Sequence, residues 1–514
     1  MKIFFVTILV IFILPVNLVS GQTIQNQETK PNIVFILADD LGYGELGVYG
    51  QKKIETPHID QLAKNGMTFS QHYAFPVCAP SRYLLLTGKH SGHAFIRDNH
   101  EWSERGDVWN FKAMEANPFL EGQFPIPDST VTLAKLLKEA GYTTGIIGKW
   151  GLGAPMTVGE PNNQGFDYFY GFNCQRQDHT YYPGHLWENG YRVPLSNKVV
   201  DPNVKLPRDA DSLDGGNYAL YQQYDYAPDY LIQSALTFIE RNRNDPFFLF
   251  FTTPLPHVSL QAPEKWVNYY RRKFGDETPF TGGSYFPCRY PRATYAAMIS
   301  TLDEQVGQIV QKLKDLHILN NTIIIFSSDN GPTYNGGSDS PWFNSAGPFK
   351  SEYGWGKGFV HEGGIRVPLI VQWPNKIRRG SKSDLISANW DMLPTLCTVA
   401  GISTPGDTDG ISMAPTLLGN AGQQKEHPHL YWEFPSYGGQ QAVRMGKWKA
   451  IRKDLKKGNL HIRLFDLEKD IQELHDISHV YPEVVKVMEN IMRAEHRTPE
   501  IASFRIEALE QEND

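Results

Sequence analysis

The stretch NIVFILADD, residues 32–40, decides the fold class. Six apolar residues follow Asn32 without interruption, and the run then ends abruptly at two carboxylates. A continuous apolar run of this length is typical of a strand that is buried on both faces of a parallel sheet. Because ligands in open α/β sheets bind beyond the carboxyl ends of the strands, Asp39 and Asp40 mark an edge where a site is expected.

The same pattern recurs along the chain, with helical periodicity between the runs. Further apolar runs lie at residues 143–148, 247–253, 323–328 and 368–373, and they are followed by Lys149, by a turn that contains His257, by Asp329-Asn330 and by Pro374. Helical periodicity appears at residues 59–66, 132–140, 230–243 and 295–319. Alternating strands and helices predict an α/β fold with a large, mostly parallel sheet sandwiched by helices.

The pattern changes near residue 421. Short segments typical of antiparallel strands lie at residues 429–434, 441–444, 448–452 and 463–467, and a helical segment follows at residues 482–497. The sequence therefore predicts a main domain at residues 22–420 and a smaller C-terminal α+β subdomain at residues 421–514, packed on the first.

The first 21 residues have the features of a secretory signal peptide. Lys2 precedes an apolar run from Ile3 to Leu14, and small residues around Gly21 suit cleavage near Gly21-Gln22. A membrane anchor is the alternative, but the run is shorter than the roughly 18–20 apolar residues that a span needs. We expect a periplasmic or secreted protein that has no membrane association once the signal is removed.

Composition narrows the class of protein. A net charge of −7 and a pI of about 6.2 give no electrostatic footprint for nucleic acid. The four cysteines lie far apart in the sequence, which excludes a disulfide scaffold. If Cys78 has a chemical role, the remaining three allow at most one bridge, whose pairing the sequence leaves open; they are Cys174, Cys288 and Cys397.

Cys78 lies in the stretch FPVCAPSRYLLLTG, residues 75–88. Pro80 suits a first helical turn, and the three leucines that follow Tyr83 give that helix a face to bury. Cys78 would then lie at a helix N-terminus, where N–H groups and Arg82 stabilise a bound oxyanion. The alternative is a buried structural cysteine.

Two polar pairs, Asp39-Asp40 and Asp329-Asn330, each end a predicted buried strand. They offer only oxygen ligands, which select Ca²⁺ or Mg²⁺ over softer metals. The alternative for either pair is a solvated strand end. Four residues carry positive or proton-donating groups suited to binding a tetrahedral oxyanion: Arg82, Lys149, His257 and Lys357. Lys149 and His257 follow apolar runs, and Lys357 lies in a glycine-rich segment.

With these motifs in view, the chain from Pro31 onward resembles the type I sulfatases, the formylglycine-dependent family of the alkaline phosphatase superfamily. Residues 78–82 with 85–88 match its Cys-x-Pro-Ser-Arg signature. Further similar motifs lie at residues 39–42, 141–150, 165–171 and 362–368. The resemblance implies an alkaline-phosphatase-like fold and hydrolysis of sulfate monoesters.

The resemblance also implies cofactors and residue roles. A maturation enzyme would oxidise Cys78 to formylglycine, whose hydrate attacks the sulfate sulfur with one hydroxyl and uses the other to expel sulfate. Ca²⁺, in preference to Mg²⁺, would be bound by Asp39, Asp40, modified Cys78, Asp329 and Asn330. Arg82 would hold the formylglycine, while Lys149, His257 and Lys357 bind sulfate and His257 protonates the leaving oxygen.

One position departs from the family pattern. The family commonly has a histidine after Lys-Trp that assists the elimination, whereas this chain has Gly151. Either Lys149 or a histidine from elsewhere assists, or the elimination is slow; the histidine candidates are His90, His93, His179 and His185. We also expect substrate contacts from His179, His185 and Arg97, and we place the aromatic-rich segments 98–127 and 173–229 as loops over the site.

These observations predict a sulfatase that acts on a sulfated polysaccharide or glycosaminoglycan, as a monomer or weak oligomer. The resemblance of residues 165–189 to bacterial carbohydrate sulfatases suggests a galactose or N-acetylgalactosamine 4-sulfate. Two alternatives stay open: a phosphate or phosphonate monoester hydrolase of the same superfamily, and a carbohydrate-binding protein with a degenerate site.

Overall fold

The structure is a computed structural model, and it describes residues 1–7, 9 and 30–513. Most of the expected signal peptide, including its cleavage site near Gly21, lies outside these residues, so secretion stays a prediction. Among the described residues, no helix combines the length and the apolar character that crossing a bilayer requires.

A large mixed sheet forms the centre of the fold. Its strands, in chain order, are β1 (Asn32–Ala38), β2 (Met67–Tyr73), β3 (Thr143–Lys149), β4 (Tyr168–Phe172), β5 (His185–Glu188), β6 (Tyr191–Pro194), β7 (Phe247–Thr252), β8 (Thr322–Ser328), β9 (Arg366–Gln372), β10 (Ser381–Ser383) and β11 (Ser387–Ala388). The spatial order is β10-β2-β9-β8-β1-β7-β3-β4-β5-β6, and β11 pairs with β2.

Helices cover both faces of this sheet and continue into the C-terminal region. They are α1 (Pro57–Lys64), α2 (Cys78–Thr87), α3 (Phe111–Ala116), α4 (Leu133–Glu139), α5 (Ala227–Arg241), α6 (Glu264–Phe274), α7 (Pro291–Asp315), α8 (Ser340–Phe343), α9 (Glu362–Ile365), α10 (Met392–Ala400), α11 (Ala414–Leu417), α12 (Pro482–Glu495) and α13 (Glu507–Asn513). The four predicted helices correspond to α1, α4, α5 and α7.

The central strand β1 shows why the apolar run decides the fold. It pairs in parallel with both β7 and β8. Its side chains alternate between two apolar clusters on opposite faces of the sheet: Phe35 belongs to the cluster that includes α2 and α10, and Val34 to the cluster that includes α5 and α7. Burial on both faces requires an apolar residue at every position, so the predicted α/β class is confirmed.

Two strands, β5 and β9, run opposite to the others, which agrees with the prediction of a mostly parallel sheet. β9 is antiparallel to both of its neighbours, β2 and β8. An apolar run encodes burial but not strand direction, and for that reason the sequence could not distinguish β9 from the parallel strands.

A second, antiparallel sheet lies in the C-terminal region, as predicted. It contains β12 (Leu430–Phe434), β13 (Gln440–Met445), β14 (Trp448–Lys453) and β15 (Arg463–Asp466) in sequential order. One face shares the apolar cluster of the large sheet through Trp432 and Phe434, and the other packs on α12 through Val443. The small sheet is therefore attached to the large one by a common core, and the boundary near residue 421 stays a prediction.

Candidate active site

The carboxyl ends of β1 and β8 bring four polar residues together. The parallel register pairs Ala38 with Ser328, so the residues that follow each strand are neighbours. The backbone N–H of Asp40 donates to Asp329 Oδ1 (3.1 Å), and Asn330 Nδ2 donates to Asp40 Oδ1 (2.8 Å). Asp39, Asp40, Asp329 and Asn330 are all fully buried, and we call them the acidic floor.

Cys78 lies against this floor at the first residue of α2. Its Sγ is 3.4 Å from Asp39 Oδ1 and 3.9 Å from Asp40 Oδ1. Pro80 occupies the first turn, as predicted, and Gly88 ends the helix in the left-handed region at φ 68°. The N–H of Ala79 is not free for an anion, because it donates to Asn99 Oδ1 (2.9 Å).

The Cys78 thiol is a poor nucleophile as it stands. Burial, followed by the charge of Asp39, raises the pKa of Cys78 well above its usual value. Since the thiolate is the reactive form of cysteine, the unmodified side chain is inert at neutral pH. The position therefore favours a role in which residue 78 does not act as a thiol.

Three cationic side chains form ion pairs with the carboxylates of the acidic floor. Lys149, the last residue of β3, places Nζ 2.6 Å from Asp39 Oδ2. Lys357 Nζ lies 2.8 Å from Asp40 Oδ2. The Arg82 guanidinium donates to Asp329 Oδ2 and to the carbonyl of Lys149, both at 2.8 Å. Through these two bonds Arg82 supports the acidic floor, and its predicted contact with a bound oxyanion stays a prediction.

The pKa values of the floor show an excess of negative charge. Burial, together with the charge of Asp39, raises the pKa of Asp329 to about 7. Burial also raises the pKa of Asp40. The pKa of Asp39 is instead lowered, because Lys149, His257 and Arg82 outweigh the effect of its burial. Like charges packed in a dry site resist ionisation unless a cation joins them.

A hard divalent cation fits this arrangement. The Oδ1 atom of Asn330 is buried and has no hydrogen-bond partner among the described residues. Four candidate ligand atoms lie within 4.8 Å of one another, one from each of Asp39, Asp40, Cys78 and His257. An unpaired amide oxygen beside three carboxylates is the oxygen-rich environment that Ca²⁺ and Mg²⁺ prefer.

His257 faces the floor in a defined tautomer. Its Nδ1 is bonded to the carbonyl of Val258, which can only accept, so Nδ1 carries the proton. Nε2, 3.7 Å from Asp40 Oδ2, is then the acceptor end. Burial first, and then the charges of Lys357 and Lys149, lower the pKa of His257 well below its usual value. Burial and the neighbouring ammonium groups therefore favour the neutral form of His257 in the free site.

Above the floor lies a cavity of about 400 Å³. Groups at its base are Cys78, Lys149, His179, His257 and Lys357. Its walls include residues from both long segments, as predicted for loops over the site; they are Asp98, Asn99, Glu101, Trp109, Gln175 and Arg176. The structure thus brings together Cys78, the metal-ligand candidates and the three predicted sulfate-binding residues.

Arg97 and His185 are not in this cavity, which corrects their prediction as substrate contacts. Arg97 NH1 bonds Glu433 Oε1 at 2.6 Å, and its other nitrogens donate to backbone carbonyls. His185 Nε2 lies 2.8 Å from Glu121 Oε1. Both side chains are buried, and their polar atoms are committed to structural networks.

Of the four histidines considered as substitutes at Gly151, only His179 lines the cavity. Its ring stacks on that of His257, with centroids 5.3 Å apart. His90 and His93 instead bond Glu495 and Asp409, at 3.0 and 2.9 Å, away from the cavity. These two residues join the end of α2 to the C-terminal region.

Gly151 itself leaves no room for a side chain. Its φ is +81°, and a Cβ there would lie 2.6 Å from Gln175 Nε2. The Gln175 side chain fills this space and lines the cavity. Gln175 was missed because the segment around it has no periodicity that would place it in the fold.

Asp178 is a second residue that the sequence did not reveal. It is fully buried, and its Oδ2 lies 2.9 Å from Lys149 Nζ. Burial raises the pKa of Asp178 to about 7, although Lys149 opposes the shift. Asp178 therefore helps to fix the position of the Lys149 ammonium.

The cysteines outside the site form no bridge. All four cysteines lie in the described part of the chain, and all are free and buried. Cys174, Cys288 and Cys397 belong to different apolar clusters, which places them apart. The single bridge that the sequence left open is therefore not formed.

Comparison with known proteins agrees with this site. Residues 31–402 match the sulfatase family, and residues 351–498 match the family of the N-sulphoglucosamine sulphohydrolase C-terminal region. The chain is 31% identical to N-acetylgalactosamine-6-sulfatase of Homo sapiens over 438 residues, which cover 82% of this chain and 71% of that protein.

A bacterial relative and a solved structure extend the similarity. N-acetylgalactosamine-6-O-sulfatase of Bacteroides thetaiotaomicron is 30% identical over 527 residues, covering 91% of this chain and 94% of that protein. The solved structure of Ps i-CgsB in complex with k-i-k-neocarrahexaose is 28% identical, with a TM-score of 0.71; the match covers 94% of this chain and 97% of that one.

Proposed function

The chain belongs to the sulfatase family, whose members hydrolyse sulfuric esters, and we propose that its substrate is a sulfated sugar of a polysaccharide or glycosaminoglycan. The sugar we propose is galactose or N-acetylgalactosamine. One observation carries the proposal: Cys78 lies 3.4 Å from Asp39 at the base of a polar cavity lined by Lys149 and Lys357. The relatives named above act, by their names, on N-acetylgalactosamine 6-sulfate.

The proposed cofactor is Ca²⁺, held by the acidic floor and by an oxygen of modified residue 78. A bound divalent cation would offset the charge of the three carboxylates and lower the pKa of a coordinated hydroxyl. The fit rests on the raised pKa values of Asp40 and Asp329 and on the unpaired Oδ1 of Asn330.

We propose that residue 78 acts as formylglycine, formed from Cys78 by a maturation enzyme. The raised pKa of the buried thiol disfavours thiolate chemistry, whereas an aldehyde hydrate supplies a hydroxyl nucleophile without needing a thiolate. The position at the first residue of α2, beside Asp39, directs that hydroxyl toward the cavity.

The lysines are placed to bind and orient the sulfate group. Lys149 and Lys357 contact different carboxylates, Asp39 and Asp40, so their ammonium groups approach residue 78 from two directions. Burial alone would lower the pKa of Lys149, but Asp178 and Asp39 raise it above its usual range, so its positive charge is permanent. Fixed charges in a dry cavity stabilise the charge that develops on sulfate oxygens.

His257 handles the proton at the leaving oxygen in this proposal. Its Nε2 is the acceptor end in the free site, and it becomes a donor once a bound sulfate ester raises the pKa of the ring. Stacking on His179 holds the ring in one plane. His257 would then donate its Nε2 proton to the departing sugar oxygen.

The test is sulfate release from a matched panel of sulfated sugars. The panel contains the 4-sulfates and 6-sulfates of galactose and N-acetylgalactosamine, free and within oligosaccharides, and it compares the 4-sulfate that the sequence suggested with the position in the relatives' names. Phosphate esters of the same sugars test the alternative hydrolase. Faster turnover of a phosphate ester, or no sulfate released from any sugar, contradicts the proposal.

Localisation and maturation complete the proposed function. A periplasmic or secreted site is proposed from the N-terminal sequence, and it can be checked by sequencing the N-terminus of the exported chain. Intact mass of the peptide that contains Cys78 distinguishes an aldehyde from a thiol. A thiol in a host that has the maturation enzyme favours the binding-protein alternative.

A further inference from the structure

Trp109 is an exposed aromatic residue in the wall of a polar cavity. Its side chain is 66% exposed, whereas Cys78 at the base of the same cavity is 1% exposed. A large apolar ring left in water gains none of the roughly 1.5–3 kcal/mol that its burial would provide. Because Trp109 lines the same cavity as Cys78, a ligand that extends from Cys78 can cover the exposed ring and gain part of this energy.

The ring of Trp109 is held from one side by Arg176. The guanidinium carbon of Arg176 lies 4.9 Å from the ring centroid, a cation–π distance. Arg176 also donates to the carbonyl of Trp109 (2.7 Å) and to that of Val108, which is fully buried. The guanidinium therefore packs against the indole and anchors the backbone beside it, while most of the ring surface stays exposed.

An exposed aromatic face of this kind suits one ligand chemistry in particular. The faces of a pyranose ring present C–H groups, which pack against the electron-rich face of an indole, while the ring hydroxyls point outward to polar partners. The cavity supplies such partners in Asn99, Tyr334 and Asn335. A lipid chain would leave these polar groups unpaired.

The depth of the cavity distinguishes two sugar positions. A sulfate that reaches Cys78 and the buried Lys149 places its own sugar inside the cavity of about 400 Å³, which is near the lower end for ligand pockets. Trp109, whose side chain is exposed at the mouth of the cavity, can then contact the next sugar of the saccharide. We infer that Trp109 stacks on the sugar joined to the sulfated one, so that the enzyme recognises an oligosaccharide of at least two units.

This inference rests on the proposed function, and a variant pair tests it. Phe119 is a matched control, because it is also exposed (51%), lies in the same segment, and stacks on an arginine, Arg105, at 4.0 Å, yet does not line the cavity. Trp109→Ala, Trp109→Phe and Phe119→Ala would be assayed by sulfate release from a sulfated monosaccharide and from an oligosaccharide that contains it.

We expect Trp109→Ala to raise KM for the oligosaccharide about tenfold with kcat unchanged, and KM for the monosaccharide at most twofold. A tenfold change corresponds to about 1.4 kcal/mol, within the range of an aromatic stacking contact. Trp109→Phe should recover most of the loss, and Phe119→Ala should match the wild type. Equal effects of Trp109→Ala on both substrates, or none on either, would overturn the inference.

A binding measurement separates this inference from the proposed function. If the wild type releases sulfate from no sugar, the proposed function fails, and calorimetric titration with the oligosaccharide still tests Trp109. The titration uses the Cys78→Ala chain with and without Trp109→Ala. A tenfold weaker affinity in the double variant supports the stacking contact, and equal affinities refute it.

Discussion

Two buried clusters of charged side chains in this molecule differ in their balance of carboxylates and cations. The acidic floor, with its neighbour Asp178, holds four carboxylates against three cations, Arg82, Lys149 and Lys357. The second cluster, where the small sheet meets the large one, holds two carboxylates against three cations. Its residues, which we call the junction cluster, are Glu362, Glu473, Arg366, Arg444 and Lys449.

The pKa values of Glu362 at the junction and Asp329 on the floor shift in opposite directions. At the junction, Glu362 bonds Lys449 Nζ at 2.8 Å and Arg366 NH1 at 3.0 Å. Burial would raise the pKa of Glu362, but Lys449 and the arginines lower it to about 2. On the floor, the pKa of Asp329 is raised to about 7. Equal burial therefore produces a complete structural cluster in one place and, in the other, a site that the proposed cation would complete.

The largest expected effect is the loss of activity on changing Cys78. Cys78→Ala removes the precursor of the proposed nucleophile, and we expect turnover to fall by about 10⁴-fold or more. The acidic floor keeps its partners, so the melting temperature should change by only about a degree or two. Sulfate release and thermal unfolding measure the two effects. Wild-type turnover in this variant would refute residue 78 as the nucleophile.

A pair of substitutions separates the functions of the two clusters. Asp329→Asn should lower activity by about 10²–10³-fold, a loss in the range of removing one preorganised electrostatic group, and should reduce bound calcium in elemental analysis. Its free energy of unfolding in calcium-free buffer should change by less than about 1 kcal/mol, because a pKa raised to about 7 means that burial and the charge of Asp39 outweigh the attraction of Arg82 for the ionised form.

Lys449→Met is the matched change at the junction. It removes the buried cation that Glu362 and Glu473 share, and we expect a loss of about 3–5 kcal/mol in unfolding free energy. Activity per folded molecule should be that of the wild type, since Lys449 is not in the cavity. If Asp329→Asn destabilises the chain as much as Lys449→Met does, the floor is a structural cluster and the comparison is wrong.

Stability should depend on pH with opposite sign at the two clusters. Asp329 binds its proton more tightly in the folded chain, so in calcium-free buffer its contribution to stability falls as pH rises from about 4 to about 7. Glu362 has a lowered pKa, so its contribution is present above about pH 4.5 and is lost as pH falls toward about 2.

Calcium distinguishes these two pH dependences. Thermal unfolding measured from pH 5 to 8 with a chelator should show stability falling with pH, and saturating calcium should cancel that slope, because the metal stabilises the ionised floor. If calcium does not alter the slope, the pH dependence of stability comes from other titrating groups.

The smallest expected effect concerns the wall of the cavity at Gly151. Gly141 and Gly151 both have φ above +80°, but a Cβ on Gly141 would meet nothing within 4 Å, whereas one on Gly151 would meet Gln175 Nε2 at 2.6 Å. Both alanine variants should lose about 1 kcal/mol from backbone strain. Only Gly151→Ala should also lower kcat/KM, by about tenfold, as Gln175 is displaced. Equal kcat/KM values in the two variants would show that Gln175 does not contribute to the site.

Local sequence predicted the centre of the fold and most of the site's base. The run at residues 32–38 could be interpreted because a strand buried on both faces requires apolar residues throughout, and the carboxylates after it follow from the geometry of parallel sheets. The positions of Gln175 and Asp178 could not be predicted, because loop residues are placed by contacts with distant strands. Arg97 was misjudged for the same reason, since its partner Glu433 lies 336 residues away.

The burial of Cys78 has a consequence for how the active protein is made. With 1% of its surface accessible, beside Asp39 and at the base of the cavity, the thiol is out of reach of another enzyme once β1, β8 and α2 have assembled. On the proposed function, the oxidation of Cys78 has to precede folding. Chains that fold before oxidation would have the native structure but would stay inactive. The yield of active enzyme would therefore depend on the rate of Cys78 oxidation relative to the rate of folding.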